Sequence, residues 1–417
     1  MQKTDSQIYE EFAAQLCEWS ESGTAPSVGN QDIRYGLTLQ KDRLTRSHTK
    51  IEYRLVPRME RQSQVNSAVF SDEHYTNRLA WKAYDKTAVY SIEDGRCLTL
   101  NDRELLYTII THLNDDQAKA SSSCPNCGAV SEVSVLLDGC PFCHTRFLVS
   151  DLFPRISNFY FLRDYGLSER EAKSDTAKWM AAGAVAGFLI RMPGFIVDIV
   201  HGENLFLLLI TMLLAAGVGS VFGYFALSLK LLSRVMKDAF KQAPRAAGQI
   251  TAKKKLTDFM KQQDPGFSFE YFFGKVQSLL KILIFSDDRT SLAVYDGPAD
   301  DGMLESFNNI IDAQFDGAIS FNSGRVEGNY CYLDLNVYMT DVYCQDNRLV
   351  RKSDSFQIGL CRNISKPVDY GFTIKRVNCK SCGASFDAAK EKRCPYCKSQ
   401  YALREDDWVI TFVRKRA

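Results

Sequence analysis

The 25 residues from Leu205 to Leu229 (LFLLLITMLLAAGVGSVFGYFALSL) contain no charged side chain. A helix gains about 1.5 Å per residue, so roughly 20 apolar residues cross the hydrocarbon of a bilayer. This run is therefore expected to span a membrane and to hold a largely soluble chain there. The first residues, MQKTDSQIYEEFAAQLCEWS, have no apolar core of the signal-peptide kind, so no cleavage is expected and the anchor is internal.

A second apolar stretch, Trp179 to Val200, is interrupted by Arg191, Pro193 and Asp198. An arginine at mid-membrane costs about 2.5 kcal/mol on insertion scales, which makes this segment marginal by itself. We read it as a span, the alternatives being a re-entrant segment or an interfacial helix, because the linker at 201–204 carries no lysine or arginine. Basic residues follow the second span: Lys230, Arg234, Lys237, Lys241, Arg245, Lys253, Lys254, Lys255 and Lys261, against only Asp238 and Asp258. They are expected on the cytoplasmic side, along an anionic lipid surface, and a two-span hairpin then puts both soluble parts in the cytoplasm of a cell whose inner membrane holds the hairpin. Overall, 51 basic residues balance 50 acidic ones, so no global charge points to nucleic acid.

Eight of thirteen cysteines form two quartets, Cys124, Cys127, Cys140, Cys143 and Cys379, Cys382, Cys394, Cys397. Each joins two C-x2-C knuckles across about a dozen residues, a spacing that brings four thiolates onto one Zn²⁺. A redox centre needs one C-x-x-C pair and has no reason to be duplicated with a matching gap. Four protein ligands leave no open position, so both zinc sites are expected to be structural. Thiolates survive in a reducing compartment, which agrees with cytoplasmic placement. Gly128 and Gly383 suit the tight knuckle turns. The remaining Cys17, Cys97, Cys331, Cys344 and Cys361 lack metal spacing and read as core or surface thiols, and His144 as a bystander.

After Asp264-Pro265-Gly266, Ser268 reads as a helix N-cap, Phe267 and Phe272 as a hydrophobic staple, and Phe269, Phe272, Phe273, Val276, Leu279, Leu280 and Leu283 as one apolar face. A second helix is expected from Met303 to Phe315. Period-two alternation then takes over, in Leu333 to Met339, in Phe356 to Leu360 after an Asp346-Asn347 turn, at Phe372 and Ile374, and from Trp408 to Phe412. Helices followed by a meander predict an α+β domain with an antiparallel sheet. By parity, or beyond a bulge, Asp334 and Asp341 are expected to face solvent.

The stretch DPGFSFEYFFGKVQSLLKIL, the helix-then-strands order and the final WVITFVRK resemble bacterial relatives of the C-terminal domain of the mitochondrial inner-membrane translocase subunit forty-four. The resemblance covers Asp264 to Ala417. It implies a cone-shaped fold of the nuclear-transport-factor-two type with an apolar pocket, to which Phe269, Phe272, Phe273 and Trp408 are assigned, and membrane-proximal binding of proteins or lipids. The chain departs from that family in its ribbon, its integral anchor and the lack of a long charged N-terminal region, so recruitment of a chaperone motor is not implied.

Upstream, Gln7 to Trp19 and Asp102 to Leu113 read as helices, and Ile51 to Leu55, Leu79 to Tyr90 and Arg96 to Leu100 as strands. The first ribbon followed by Phe147-Leu148 and ISNFYFLRD weakly echoes the second followed by WVITFVRK. The expected organisation is an α+β region at 1–120, a ribbon at 121–150, a hairpin at 177–230, a basic helix at 231–263, and a C-terminal domain at 264–417 with a ribbon inserted at 378–400. The expected function is a membrane-anchored adaptor that turns nothing over and binds a protein or lipid partner. A pocket enzyme is the alternative.

Overall fold

The structure, a computed structural model, describes the chain except residues 1–2, 59–64, 72–74, 94, 114–120, 125–126, 128, 133–134, 136–139, 145–153, 165–168, 202, 266, 290, 299–301, 366–376, 380, 387–390, 406 and 417. At 31, 75, 113, 121–123, 169–174, 231–232, 234–251, 303, 377–378 and 385 it describes the backbone alone. The chain forms two compact units, one of residues 1–58, 62–164 and 248–417, the other of 59–61 and 165–247. The soluble stretches before and after the hairpin, which the sequence reading separates, thus share one unit.

The first unit begins with α1 (Asp5–Ser22), opened by a capping box between Thr4 and Gln7 and closed by Gly23 in the left-handed region. Helix α2 (Gln31–Arg46) is capped by Asn30, whose Oδ1 accepts from the Ile33 amide. Four long strands follow: β1 (Thr49–Pro57), β3 (Tyr75–Ile92), β4 (Cys97–Leu113) and β7 (Arg155–Arg163). They pair in the order β1-β3-β4-β7, with the short β2 (Asn66–Ser71) also on β3. Between β4 and β7 lies the first cysteine quartet, carrying β5 (Ser121–Ser123) and β6 (Val130–Glu132).

The later part of this unit repeats that plan. Helices α5 (Phe269–Phe285) and α6 (Gly302–Ser306) precede β8 (Ile310–Glu327), β9 (Tyr330–Gln345) and β10 (Arg348–Asn363). The second quartet comes next, with β11 (Val377–Asn378) and β12 (Ser385–Phe386), and then β13 (Val409–Arg416). The second sheet runs β8-β9-β10-β13, the same meander with the same inserted ribbon. Matching irregularities strengthen the equivalence. In the last strand of each sheet one residue is bulged out, Ser157 between partners of Ile109 and Ile110, and Thr411 between partners of Gly359 and Leu360. Beside each bulge, a segment ahead of the second helix makes an isolated parallel bridge, Gly29 to Ile156 and Tyr295 to Ile410. The amides of Asn30 and Asp296 donate to those two isoleucine carbonyls at 2.9 and 2.8 Å. The unit is an internal duplication.

Several expectations are corrected here. Residues 102–113 are strand, because the β-branched run Thr108-Ile109-Ile110-Thr111 is buried throughout between β3 and β7, a two-sided environment that a helix face cannot supply. Residues 303–315 form one helical turn, a 3₁₀ turn at Phe307–Asn309 and the start of β8. Asp341 is fully buried, since it continues the inward parity of Leu335, Val337 and Met339. Asp334 is half-buried and accepts from Asn322 and Gln357 at 2.8 and 2.7 Å. The Phe267–Phe272 staple forms, with ring centroids 5.4 Å apart, but Ser268 makes no side-chain cap and accepts instead from Asn77. Phe147, Leu148, Phe372 and Ile374 lie outside the described residues.

In the second unit, α3 (Glu169–Val200) runs through Pro193, and α4 (Leu205–Gln263) continues from it into the first unit. Asp175–Val200 and Leu205–Lys230 are long and apolar enough to cross a membrane, and their apolar side chains point outward: Ile190 is 81% exposed and Phe206 73%. A soluble protein has no reason to expose so continuous an apolar surface. The two helices meet through Gly183 and Gly187 on one and Ala215, Gly219 and Gly223 on the other. A Cβ at Gly183 would strike the Gly219 carbonyl, and one at Gly219 the Gly183 carbonyl. Ser220 donates to the Met180 carbonyl at 3.2 Å across the pair. Arg191, the charge that makes the first segment marginal, pairs with Asp198 at 2.5 Å and passes over Gly194, where a Cβ would block it. Trp179 and Lys230 meet at 4.9 Å, an aromatic and a cation at the helix ends.

Candidate metal centres

Each quartet converges. The four Sγ atoms in either group lie within 4.8 Å of one another, and all thirteen cysteines are free of disulfides. The closest separations are 3.6 Å for Cys124–Cys143 and 3.7 Å for Cys127–Cys140, then 3.4 Å for Cys379–Cys397 and 3.7 Å for Cys382–Cys394. Four sulfurs about 2.3 Å from a tetrahedral Zn²⁺ stand about 3.8 Å apart, so the donor sets suit that ion without rearrangement.

The knuckles form for local reasons, and alike in both repeats. The Cys124 amide donates to Ala129 O at 2.7 Å and the Cys379 amide to Ala384 O at 2.8 Å. The amides of His144 and Lys398 donate to Cys140 O and Cys394 O, both at 2.9 Å, and these two residues sit in the left-handed region at φ 55° and 59°. Gly383 takes φ 74° at the turn expected for it, while Gly128 lies outside the described residues. Cys124, Cys140, Cys379 and Cys394 are buried.

Thiolates this close repel unless a cation lies among them. In the second site the Ser399 hydroxyl, 2.9 Å from Cys379 Sγ, is the main cause that holds that thiol down to about 5. At Cys382 the Ala384 amide acts in the lowering direction, but Cys397, burial, Cys394 and Cys379 together push the thiol up to about 12. Ser399 lowers Cys379 and Cys397 while the neighbouring thiols raise Cys382, as expected of four sulfurs held this close together. With all four positions filled by protein, an ion held there would brace the loop and leave no place for substrate.

The aromatic residue inside the second knuckle of each site is bare to solvent, Phe142 at 67% and Tyr396 at 70%. Lys392 ties the second ribbon to the segment ahead of α6, pairing with Asp296 at 3.2 Å while its amide donates to Ser291 O, and Phe386 and Tyr401 make a ring contact beside it.

Other assigned residues fall elsewhere. Phe272, Phe273 and Trp408 are core, with Phe272 and Trp408 edge to face at 5.3 Å and Phe273 against Phe315 at 4.8 Å, and Phe269 stacks on Phe273. They fill space in the core. Of the basic run, Lys253 is engaged with Glu270 at 2.5 Å and lies over the rings of Phe70 and Phe269. Lys254, Lys255 and Lys230 are exposed, while the side chains of Arg234, Lys237, Lys241 and Arg245 lie outside the description. The hairpin glycines went unread, although G-x-x-x-G at 183–187 and 219–223 is a sequence signal. No family model, curated protein or solved structure matches the chain.

Proposed function

We propose that this protein is a membrane-anchored binding adaptor in which two structural Zn²⁺ ions brace equivalent ribbons on a duplicated α+β unit. The observation that carries the reading is the repeated ribbon itself, a closed four-cysteine site whose knuckle presents a solvent-facing aromatic, Phe142 in one repeat and Tyr396 in the other. Closed coordination favours scaffolding over turnover. An exposed aromatic on a rigid metal-braced turn is an economical anchor for a partner, since few rotamers are lost on contact. The glycine-packed hairpin supplies the anchor, and free thiolates together with the basic run after Lys230 favour cytoplasmic placement of both soluble stretches at an inner membrane.

A protein partner at the membrane face, in translocation or handling of membrane proteins, accords with the likeness of residues 264–417 to the translocase subunit and its cone-shaped fold. Lipid contact through Lys230, Lys254 and Lys255 complements it. Cross-linking in intact membranes tests the reading: the double variant Phe142→Ala/Tyr396→Ala, with zinc content unchanged, should lose a cross-linked species that the unaltered chain forms. Persistence of the same species at the same yield would refute the knuckles as the contact.

A further inference from the structure

Where β8 crosses the first sheet, the two repeats enclose a cluster of buried charge. Lys86 Nζ lies 2.9 Å from Glu104 Oε2, and Arg351 Nη1 2.5 Å from Asp102 Oδ2. Two charged groups in this seam have no oppositely charged partner within ion-pair distance among the described residues, Asp312 and Lys281. Asp312 is held entirely by neutral donors: the Tyr53 and Tyr90 hydroxyls at 2.8 and 2.7 Å, Gln314 Nε2 at 2.9 Å, and Gln40 Nε2 at 2.9 Å. Those donors hold the carboxyl group in one orientation.

Lys281, on α5, makes no hydrogen bond among the described residues. Its Nζ lies 4.6 Å above the Phe159 ring. It and Asp312 line one cavity together with Trp19, Gln40, Tyr53 and Phe315, and the cavity has room for about one or two waters. The amine thus faces a small, mostly aromatic space with the Asp312 carboxyl group on its wall.

We propose that Lys281 is a carbonyl-capturing amine, which takes an aldehyde of one or two carbons as a protonated imine beside Asp312. The step balances without a redox partner. Nζ forms a bond to the carbonyl carbon, the carbonyl oxygen leaves as water with two ammonium hydrogens, and the positive charge stays on nitrogen. Retention of that charge selects the chemistry. An acyl donor or carbon dioxide would turn Nζ neutral or anionic and remove the positive charge from a cavity that Asp312 also lines, whereas an iminium keeps that charge there. Size selects the ligand, since the aromatic walls leave no room for a longer chain. Burial also pushes the Lys281 ammonium down to about 8, with Lys86 adding to that push and Asp312 and Asp341 opposing it, so a useful share is nucleophilic near neutral pH. This site is independent of the ribbons and of the adaptor reading.

The test is reductive methylation of the full chain in mild detergent, with formaldehyde and cyanoborohydride as probe and peptide mass spectrometry as readout. At about pH 7, Lys281 should be modified at least about tenfold faster than the exposed Lys254 and Lys255, with a rate midpoint near pH 8. In Asp312→Asn that midpoint should fall, and Lys281→Arg, which keeps the charge opposite Asp312, should lose the fast phase while remaining folded. Slower modification of Lys281 than of Lys254, or a fast phase that survives in Lys281→Arg, overturns the proposal.

Discussion

The two repeats share strand order, bulge, parallel bridge and ribbon, yet they treat buried charge in opposite ways. Aligned through their bulges, Lys86 in β3 takes the place of Asp341 in β9, and Glu104 in β4 that of Asp354 in β10. The first repeat therefore buries a pair of opposite charges, with Lys86 4% and Glu104 3% exposed. The second buries two carboxyls. Desolvation, and then the charge of Asp354, raise Asp341 well above the usual carboxylate range. Asp354 goes the other way, lowered by Lys415, which pairs with it at 2.7 Å, and by the Tyr343 hydroxyl that donates to it. One frame thus tolerates either solution. Topology follows from backbone pairing and apolar parity, while the charge at one position is free to change as long as something neutralises it.

The sharpest way to break the comparison is through the ribbons. Cys394→Ser should destabilise the first unit by upward of about 3 kcal/mol in thermal unfolding, because Lys392 ties its loop to the segment ahead of α6. Cys140→Ser should likewise destabilise it. Equal losses would mean that the two ribbons are anchored alike.

Lys86→Met leaves Glu104 buried with only the longer Arg351 contact at 3.9 Å, at a cost of about 3 kcal/mol in denaturant titration. The hairpin has no counterpart in either repeat, and Gly219→Val should disrupt it by about 2 kcal/mol in detergent, since the new Cβ meets the Gly183 carbonyl. Unchanged hairpin stability would show that the helices do not pack through their glycines.

The smallest effect depends on pH. A carboxyl whose folded pKa is raised contributes stability that is complete below its unfolded value, about 4, and is lost as pH climbs through the folded value. Asp341→Asn removes that loss and can still donate to Asp354. Its melting temperature should match the parent near pH 4 and exceed it by a few degrees near pH 8. A constant offset across that range would show that Asp341 does not titrate in the fold.

The metal knuckles, the clear span, α1 and the alternating strands β9 and β10 were legible because each rests on a short-range rule: thiolate spacing, unbroken apolarity, or period two. Helix α2 was not read. Its inner face carries Ile33, Leu37 and Leu44, but also Gln40 and Arg43, which are buried because they bond to Asp312 and to the Phe307 carbonyl in the other repeat. Residues 102–113 misled in the reverse sense, since burial on both sides of a strand erases alternation. The duplication was visible only as an echo at the ribbons; its decisive marks, the bulges and bridges, are backbone features without a residue signature. The cluster around Asp312 joins residues from five elements, a meeting that no local pattern encodes.

Metal content tests the central claim most directly. Full-length protein purified from membranes in mild detergent should hold about two zinc equivalents per chain, and Cys140→Ser and Cys394→Ser about one each. Two equivalents falling to one in each variant is the result that two independent, equivalent sites require. A content near zero in the parent, or both metals lost together on either substitution, would contradict it.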